Sequence, residues 1–377
     1  MIDPSRQIVL GNDVQQQYTE LKHELDAAMS RVIADGRLVL GPAVQEFERD
    51  FAAFCGTPYA LGVGTCTDAL FMALTALGIG RGDEVITSPV TFVATVSAIV
   101  RTGATPVFAD IDPGTFTLDA SAVADAYTER TRAIVPVHLF GLTADLDPLL
   151  EDARRAGAAV VEDAAQAVGA AYWGRPAGSF GDAAVFSFFP TKNLGCYGDG
   201  GAVVTGDPAL HARIGRLREH GFEPDGYVAV EEGGINSRLD CVQAAVLSVK
   251  MRTLRQDIAR RIAVAARYDE LLRDTDIRTP EVPVGRTHAF HQYTVTVPGG
   301  PEHRDETLAY LRKNGVDARV FYGQLVPHQP AMAAHAGAPG RWPAAERYAD
   351  HALSLPCHPR LTADQQNYVC ALLKPRY

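Results

Sequence analysis

Short apolar runs alternate with helical segments between residues 59 and 205 of the chain. The runs are apolar at successive positions, which is typical of strands that are buried on both faces in a parallel sheet covered by helices. Between them, segments such as 68–77 and 91–101 carry apolar residues at helical spacing. This alternation predicts an α/β domain with a mostly parallel seven-stranded sheet, whose strands are YALGV (59–63), DEVITS (83–88), TPVFADI (105–111), RAIVPVH (132–138), AAVVED (158–163), AAVFSF (183–188) and GAVVT (201–205).

Helical periodicity dominates the chain on both sides of this region. Before it, one helix is predicted at 18–34, and apolar residues within 44–54 give a second, amphipathic helix. After it, apolar positions keep near-helical spacing across 239–274. A helix of that length suggests a spine that joins two domains rather than an ordinary surface helix.

Beyond residue 275 the pattern becomes α+β. The predicted elements are strands at 291–298 (HQYTVTVP) and 316–322 (VDARVFY), and helices at 304–315, 347–353 and 362–373. We therefore predict a large α/β domain at 1–250, which includes the N-terminal helical segment, and a smaller α+β domain at 251–377.

Composition narrows the class of protein. Hydrophobic residues make up 47% and charged residues 21%, which is typical of soluble globular proteins and excludes disordered, collagen-like and coiled-coil chains. The formal net charge is −10 without a basic cluster, and this disfavours nucleic acid as a partner because a phosphate backbone favours a positive surface. No apolar run reaches the ~18 residues that a membrane helix needs, and MIDPSRQIVLGND lacks the features of a secretory signal. We expect a cytoplasmic protein with no membrane association.

The cysteines and histidines form no metal-binding pattern. Six cysteines are scattered without a C-x-x-C pair, which argues against a zinc site or a disulfide framework in so long a chain. His288 and His291 are three residues apart, and on a predicted strand this spacing directs their side chains to opposite faces. We therefore predict reduced thiols and no metal, and we prefer core or surface histidines to a metal enzyme.

Two segments place a lysine and an acid at the ends of predicted strands. In FSFFPTKNLGCYGDGG (186–201), Lys192 lies beside glycines that let the backbone approach a ligand, although a lone lysine there is more often an exposed loop residue. In VVEDAAQAVGA (160–170), Asp163 ends a buried strand, where ligands collect in open α/β sheets. The alternative for Asp163 is an N-cap of the next helix.

A third segment, GVGTCTDAL (62–70), is a glycine-rich turn that leads into a helix, and the N-terminus of such a helix favours a phosphate. Thr67 stands where a dinucleotide fingerprint has its third glycine, and the next strand ends without an acid. Both features disfavour a nicotinamide cofactor.

A phosphate-binding turn, a strand-end carboxylate and a loop lysine are together what pyridoxal 5′-phosphate requires. Its aldehyde bonds to a lysine amine, its pyridinium nitrogen needs an acid partner, and its phosphate suits a helix N-terminus. Phe92 in SPVTFVAT (88–95) is the candidate aromatic face over the ring.

On these segments the chain resembles the DegT-type nucleotide-sugar aminotransferases, a branch of the fold-type I pyridoxal-phosphate enzymes. Any one motif is weak evidence, whereas the ordered set is specific and covers nearly the whole chain. The motifs are LVLGPAVQEFE (38–48), GVGTCTDAL (62–70), GDEVITSPVTFVAT (82–95), PVFADIDP (106–113), VPVHLFG (135–141), VEDAAQAVGA (161–170), FSFFPTKNLG (186–195), GDGGAVVT (198–205), GINSRLD (234–240), HQP (328–330) and LSLPCHP (353–359).

The resemblance implies roles for individual residues. Lys192 is expected to bond to the cofactor and to act as the catalytic acid/base, and Asp163 to keep the pyridine nitrogen protonated. Gln166 is expected to contact the ring oxygen, and Phe92 to stack on the ring. The implied phosphate contacts within the chain are Thr65, Cys66, Thr67 and Ser187.

Other implied contacts concern the partner subunit and the substrate. Asn236 is expected to reach the phosphate of the neighbouring subunit, which makes the active unit a homodimer with shared active sites. Phe189, Tyr322 and His328 are expected to face the nucleotide sugar. One departure is Cys66, which stands where the family often has glycine, so an ordinary backbone conformation is expected there.

The implied activity is transfer of an amino group from an amino acid, expected to be L-glutamate, to a keto-sugar nucleotide. The motifs are most similar to those of enzymes that aminate C-3 of a dTDP-3-keto-6-deoxyhexose in deoxyaminosugar biosynthesis. Alternatives are C-4 of a dTDP-4-keto-6-deoxyhexose, C-3 of a UDP-3-keto-N-acetyl-uronic acid, and a non-catalytic regulator that binds pyridoxal phosphate. The intact Lys192 argues against the regulator, and against relatives that carry histidine there and dehydrate sugars.

Overall fold

The computed structural model describes residues 8–223, 226–335 and 340–377. Its strands are β1 (Tyr59–Val63), β2 (Glu84–Thr87), β3 (Thr105–Phe108), β4 (Thr131–Val135), β5 (Ala159–Asp163), β6 (Ala171–Tyr172), β7 (Arg175–Pro176), β8 (Ala183–Ser187), β9 (Gly201–Thr205), β10 (Arg286–Thr287), β11 (Tyr293–Thr296) and β12 (Ala352–Leu355). Its α-helices are α1 (Val14–Asp35), α2 (Pro42–Cys55), α3 (Cys66–Ala76), α4 (Val93–Arg101), α5 (Ala120–Ala126), α6 (Leu146–Ala156), α7 (Pro208–Leu217), α8 (Cys241–Leu272), α9 (Gly300–Lys313), α10 (Pro343–His351) and α11 (Ala363–Leu373).

The central sheet has seven strands in the order β1-β9-β8-β5-β4-β2-β3. β9 runs antiparallel to both of its neighbours, and the other strands run parallel to one another. These are the seven strands predicted between residues 59 and 205, so the mostly parallel α/β sheet is confirmed. β5 and β8 are adjacent, and they bring Asp163 and Ser187 to the same edge of the sheet.

Helices cover both faces of this sheet, which is why its strands carry apolar residues at successive positions. On one face, α2 and α8 pack with the sheet around a group of phenylalanines, and the rings of Phe51 and Phe186 meet edge to face at 5.1 Å. On the other face, α3, α4 and α7 pack over residues such as Val161 and Val185. The sheet is therefore held rigidly at the edge where β5 and β8 end.

The long helix α8 joins two hydrophobic clusters. Leu247 and Ile258 pack in the cluster of the central sheet, whereas Tyr268 and Leu272 pack with β11, β12, α9 and α11. The single long helix predicted for this region is thus confirmed, and it connects the two clusters. The expected domain boundary between residues 250 and 251 falls inside this helix and stays a prediction.

Three predictions of local structure are wrong. Residues 316–322 form no strand, because Val316 bridges to Val9 and Arg319 to Ser354, so the segment changes partner before a ladder forms. Residues 352–353 belong to β12 rather than to a helix, since α10 ends at His351. His288 and His291 lie outside any strand, and the His288 ring instead stacks on Phe290 with centroids 3.9 Å apart.

The described ranges carry neither a metal-binding cluster nor a membrane-spanning helix. They contain no group of three or more His, Cys, Asp or Glu side chains that could hold a metal ion. Within the same ranges, no helix combines the length and the apolar character that crossing a bilayer requires. All six cysteines are free thiols.

Candidate active site

A cavity of about 430 Å³ lies at the edge of the sheet where β5 and β8 end. We call it the active-site cavity, and its walls come from the loops after β1, β2, β5 and β8. It brings together most of the site residues predicted from the sequence, namely Thr65, Cys66, Thr67, Phe92, Asp163, Gln166, Ser187, Phe189, Lys192 and Tyr322.

The start of α3 forms one end of the cavity. Thr65 caps the helix, since its Oγ1 accepts a hydrogen bond of 3.0 Å from the Asp68 N–H. The backbone N–H groups of Cys66 and Thr67 have no hydrogen-bond partner among the described residues. Free N–H groups at a helix N-terminus make a binding site for an anion such as a phosphate. Cys66 begins the helix, so its backbone has the ordinary conformation expected there.

Two contacts hold the start of α3 in place. Gly201 on β9 runs so close to the turn that a Cβ atom there would lie 2.7 Å from the Cys66 nitrogen. Ser237 is buried on the other side, where its Oγ accepts from the Gly64 N–H at 3.1 Å and donates to Asp68 Oδ2 at 2.9 Å. The anion-binding end is therefore preformed rather than mobile.

Asp163 is the acid of the cavity, and its carboxylate is buried and oriented by hydrogen bonds. Thr95 Oγ1 donates to its Oδ2 at 2.7 Å, and the Ala165 N–H donates to its Oδ1 at 3.1 Å. Thr95 is itself 2.8 Å from the Thr91 hydroxyl. A turn follows Asp163, not an α-helix, so the alternative that it caps the next helix is wrong.

A buried hydrogen-bonded pair, His138 and Glu162, supports the backbone beside Asp163. His138 donates from Nε2 to Glu162 Oε2 at 2.8 Å, because its Nδ1 accepts from the Ala144 N–H. Glu162 also accepts from three backbone N–H groups of the segment 178–181. Burial works to raise the pKa of Glu162, but the hydrogen bond from His138 and those from the backbone outweigh it and hold the pKa below its usual range. The carboxylate is therefore charged and fully satisfied, and the end of β5 is rigid.

Lys192 supplies the amine of the cavity. Its backbone N–H donates to the Phe189 carbonyl at 2.9 Å, which closes a tight turn after β8. Its Nζ forms no hydrogen bond or ion pair among the described residues. Burial lowers the pKa of Lys192 to about 8, although the negative charge of Asp163 opposes the shift. A substantial fraction of the amine is therefore neutral at about pH 8, far below the pH at which an exposed lysine loses its proton, and the neutral form is the nucleophile and proton acceptor.

Gln166, Tyr322 and Phe92 form another part of the cavity lining. The Gln166 amide accepts from the Phe140 N–H at 2.7 Å and donates to the Tyr322 hydroxyl at 3.2 Å. The Phe92 and Tyr322 rings lie 6.4 Å apart, and Phe92 is 57% exposed at the cavity mouth. An exposed aromatic face there is free to cover a planar ring.

Two of the predicted residues lie outside the cavity. Asn236 is exposed, bridges only to the backbone of Glu219, and makes no side-chain hydrogen bond among the described residues. The His328 ring packs 5.8 Å from Trp342, away from the cavity lining. Their roles stay predictions.

Sequence reasoning missed the residues that position the site, which are Thr91, Thr95, His138, Glu162 and Ser237. Each lies next to or within a motif that was noted, but its partner is distant in the chain. Only the pairing of strands brings Thr95 to Asp163 and His138 to Glu162.

The groups present fit pyridoxal 5′-phosphate. A free amine, an oriented carboxylate, an exposed aromatic face and two unpaired N–H groups meet in one cavity, and these match the aldehyde, pyridinium nitrogen, ring and phosphate of the cofactor. A cavity of about 430 Å³ is in the range of small-molecule sites.

Comparison with known proteins gives the same assignment. A model described as the DegT/DnrJ/EryC1/StrS aminotransferase family matches residues 19–374. The chain is 45% identical over 360 residues to a pleiotropic regulatory protein of Geobacillus stearothermophilus, which covers 95% of both chains. It is 45% identical over 354 residues to a dTDP-3-amino-3,4,6-trideoxy-alpha-D-glucose transaminase of Streptomyces venezuelae, covering 94% of this chain and 92% of the relative. The crystal structure of S. venezuelae DesV superposes with a TM-score of 0.94 at 44% identity, covering 98% of each chain.

Proposed function

Because the chain belongs to the DegT/DnrJ/EryC1/StrS aminotransferase family, we propose that it transfers an amino group from L-glutamate to C-3 of a dTDP-linked 3-keto-6-deoxyhexose. The family and the fit of the cavity make it a pyridoxal-phosphate-dependent sugar aminotransferase. The choice of C-3 is supported by the Streptomyces venezuelae relative, whose name specifies a 3-amino sugar on dTDP. One observation carries the proposal. The Lys192 amine, whose pKa is lowered by burial to about 8, lies in the same cavity as the Asp163 carboxylate.

When bound, the cofactor supplies an electron sink that makes the α-proton of an amino acid acidic. In this proposal the Lys192 amine would take that proton from Cα of the amino acid and would deliver it to C4′, the carbon of the cofactor's aldehyde group. A pKa of about 8 suits the task, because a base is most effective when its pKa is near the working pH. Nothing among the described residues ties up its Nζ, so the amine is free to swing between two positions.

We assign Asp163 to hold a proton on the pyridine nitrogen. The hydrogen bonds from Thr95 and Ala165 fix the direction in which the carboxylate points, and the Glu162–His138 pair fixes the strand end that carries it. Because the carboxylate is already oriented before the reaction, no free energy is needed to reorient it during the reaction. The N–H groups of Cys66 and Thr67, with Ser187 nearby, are assigned to the cofactor phosphate.

We also propose a homodimer with shared active sites, working in the cytoplasm. The support is that Asn236 is exposed and outside its own chain's cavity, as a residue that serves a neighbouring subunit would be. Phe189, at the cavity mouth, and Tyr322 are assigned to the sugar nucleotide.

A regulatory function is the second candidate, and the name of the Geobacillus stearothermophilus relative favours it. A regulator needs to bind the cofactor but needs neither a free lysine amine nor an oriented acid. Both are kept here, with a buried network behind the acid. Catalysis therefore accounts for more of the site.

The experiment runs the reaction backwards, since 3-keto sugars are labile. The loaded enzyme is mixed with 2-oxoglutarate and either a dTDP-3-amino-3,6-dideoxyhexose or a dTDP-4-amino-4,6-dideoxyhexose, and glutamate is measured. We expect glutamate from the 3-amino series, as the Streptomyces venezuelae relative suggests. We expect little from the 4-amino series, because a misplacement of about 1 Å at the reacting carbon costs ~10²-fold in rate. Glutamate from the 4-amino series alone overturns the ring position, and glutamate from no amino sugar nucleotide, UDP-linked 3-amino uronic acids included, overturns the activity.

A further inference from the structure

A second cavity, of about 70 Å³, adjoins the active-site cavity. We call it the side cavity. The two cavities share Thr191, His291, Gln292 and Phe321 as lining residues, so they adjoin at these four residues, which we call the junction. The space suffices for a group the size of a carboxylate but not for a whole amino acid.

Arg261 of α8 is the buried cation of the side cavity. It is 5% exposed, and its Nη1 donates to the carbonyls of Phe290 at 3.2 Å and Cys357 at 2.6 Å. It forms no ion pair with a carboxylate of the described residues, and no hydrogen bond there uses its Nε or Nη2. A buried charge without a counter-charge is costly, so this guanidinium is suited to an anion that arrives from outside the chain.

The other arginine of the side cavity is already paired. Arg319 donates to both carboxylate oxygens of Asp317, at 3.1 and 3.2 Å, and its side chain is 53% exposed. Its charge is therefore compensated within the chain and screened by solvent. This pairing makes Arg319 the natural control for Arg261.

The junction adds two neutral polar side chains, His291 and Gln292, to the lining that includes Arg261. His291 is 6% exposed, and its Nδ1 has no hydrogen-bond partner among the described residues. Burial lowers the pKa of His291 well below its usual range, so the ring is neutral. No described hydrogen bond uses the side-chain amide of Gln292, which lines both cavities. Buried polar groups are normally satisfied, so the unsatisfied His291 Nδ1 beside an arginine without an ion-pair partner marks a place for a ligand, and the half-buried Gln292 amide is available to it.

The proposed reaction needs a cation for its amino donor. An amino acid carries at least one carboxylate, and its amino group has to reach Lys192. Among the described residues that line the active-site cavity, Lys192 is the one lysine or arginine, and it has to be neutral to move protons. Of the two arginines that line the adjoining side cavity, Arg261 is the one without an ion-pair partner among the described residues.

We propose that Arg261, with His291 and Gln292, binds a carboxylate of the amino-acid donor in the side cavity. This inference rests on the proposed aminotransfer. The donor then extends through the junction, with its amino group in the active-site cavity beside Lys192 and its carboxylate in the side cavity beside Arg261. Whether the α-carboxylate or the side-chain carboxylate enters is decided by comparing L-glutamate with L-alanine, which has the first but not the second.

The test measures the two half-reactions of the loaded enzyme separately, together with binding of glutarate, an unreactive dicarboxylate. We expect Arg261→Gln to raise the L-glutamate concentration at half-maximal rate by about 10- to 100-fold, the factor for a lost charge-assisted hydrogen bond. Glutarate binding measured by calorimetry should weaken by a similar factor. The half-reaction with the amino sugar nucleotide should stay within about twofold, since the sugar makes no use of this charge. If L-alanine is affected equally, the α-carboxylate is the one bound.

The controls separate binding from folding. Arg319→Gln should change neither glutarate binding nor the glutamate half-reaction by more than about twofold. Arg261→Lys keeps the charge and should lie between wild type and Arg261→Gln, and it decides the matter if the glutamine variant does not fold. Equal losses in both half-reactions, or unchanged glutarate binding, overturn the inference. Failure of the wild-type enzyme to transfer any amino group contradicts the proposed function instead, and glutarate binding still decides the role of Arg261.

Discussion

At the scale of single residues, Lys192 owes its chemistry to where it lies and not to a partner. Its Nζ forms no hydrogen bond among the described residues, and burial lowers its pKa to about 8. The amine is protonated below that pH and neutral above it. An exposed lysine, in contrast, stays protonated until about pH 10.4.

This difference predicts a pH profile for the capture of the cofactor. The rate at which the cofactor-free protein turns yellow with pyridoxal 5′-phosphate should rise up to about pH 8 and then level off, because the neutral amine is the nucleophile. Stopped-flow absorbance at several pH values measures it, with free lysine as the reference. A rate that keeps rising with the reference up to about pH 10 would contradict the burial of the amine.

The residues of the site were predictable where one motif carries them. Lys192, Asp163 and the turn at Thr65–Thr67 lie at strand ends or helix starts, and the sequence shows such positions directly. The roles of Thr95 and His138 were not predictable, because these side chains act through hydrogen bonds to Asp163 and Glu162 that form only in the folded sheet. The proposed role of Arg261 was not predictable for the same reason. In the sequence it is one of several arginines on a long helix, and only the fold places it in the side cavity.

At the scale of elements, the packing of β9 against the start of α3 shapes the phosphate end of the cavity. A Cβ on Gly201 would lie 2.7 Å from the backbone nitrogen of Cys66, so only glycine permits this approach. Gly206, just beyond the end of the same strand, has no atom within 4 Å of the position a Cβ would take. The two glycines therefore form a matched pair.

We predict that Gly201→Ala pushes the start of α3 away from β9 and loosens the cofactor phosphate. The cost should be about 1–3 kcal/mol in the free energy of unfolding, as for other overpacked sites, with weaker binding of pyridoxal 5′-phosphate. Gly206→Ala should change the same free energy by less than about 0.5 kcal/mol. Denaturant unfolding and cofactor titration measure both, and equal effects of the two substitutions would refute the role of Gly201.

The elements themselves were predictable where burial and periodicity agree. The seven strands of the sheet were identified from their apolar runs because each is covered on both faces. Residues 316–322 alternate as a strand does, yet no continuous sheet edge is available to them, and they bridge first to Val9 and then to Ser354. Availability of a partner edge is a tertiary property that a local pattern does not contain.

At the scale of the whole molecule, the proposed shared site predicts complementation between subunits. Lys192→Ala and Asn236→Ala protomers should each be nearly inactive, but each hybrid dimer has one site with both residues intact. After equal mixing with full subunit exchange, about a quarter of wild-type activity should return. No recovery despite exchange shown by mass spectrometry would mean that Asn236 serves its own chain or is dispensable.

The central claim is that Lys192 is the residue to which the cofactor bonds. The most direct measurement is borohydride reduction of the loaded protein, followed by digestion and mass mapping of the peptides. We predict that the reduced cofactor is fixed to the peptide carrying Lys192, and that Lys192→Ala protein still binds pyridoxal 5′-phosphate but releases it on denaturation after reduction. Label on another lysine such as Lys250, whose pKa burial also lowers to about 8, or no label at all, would contradict the account.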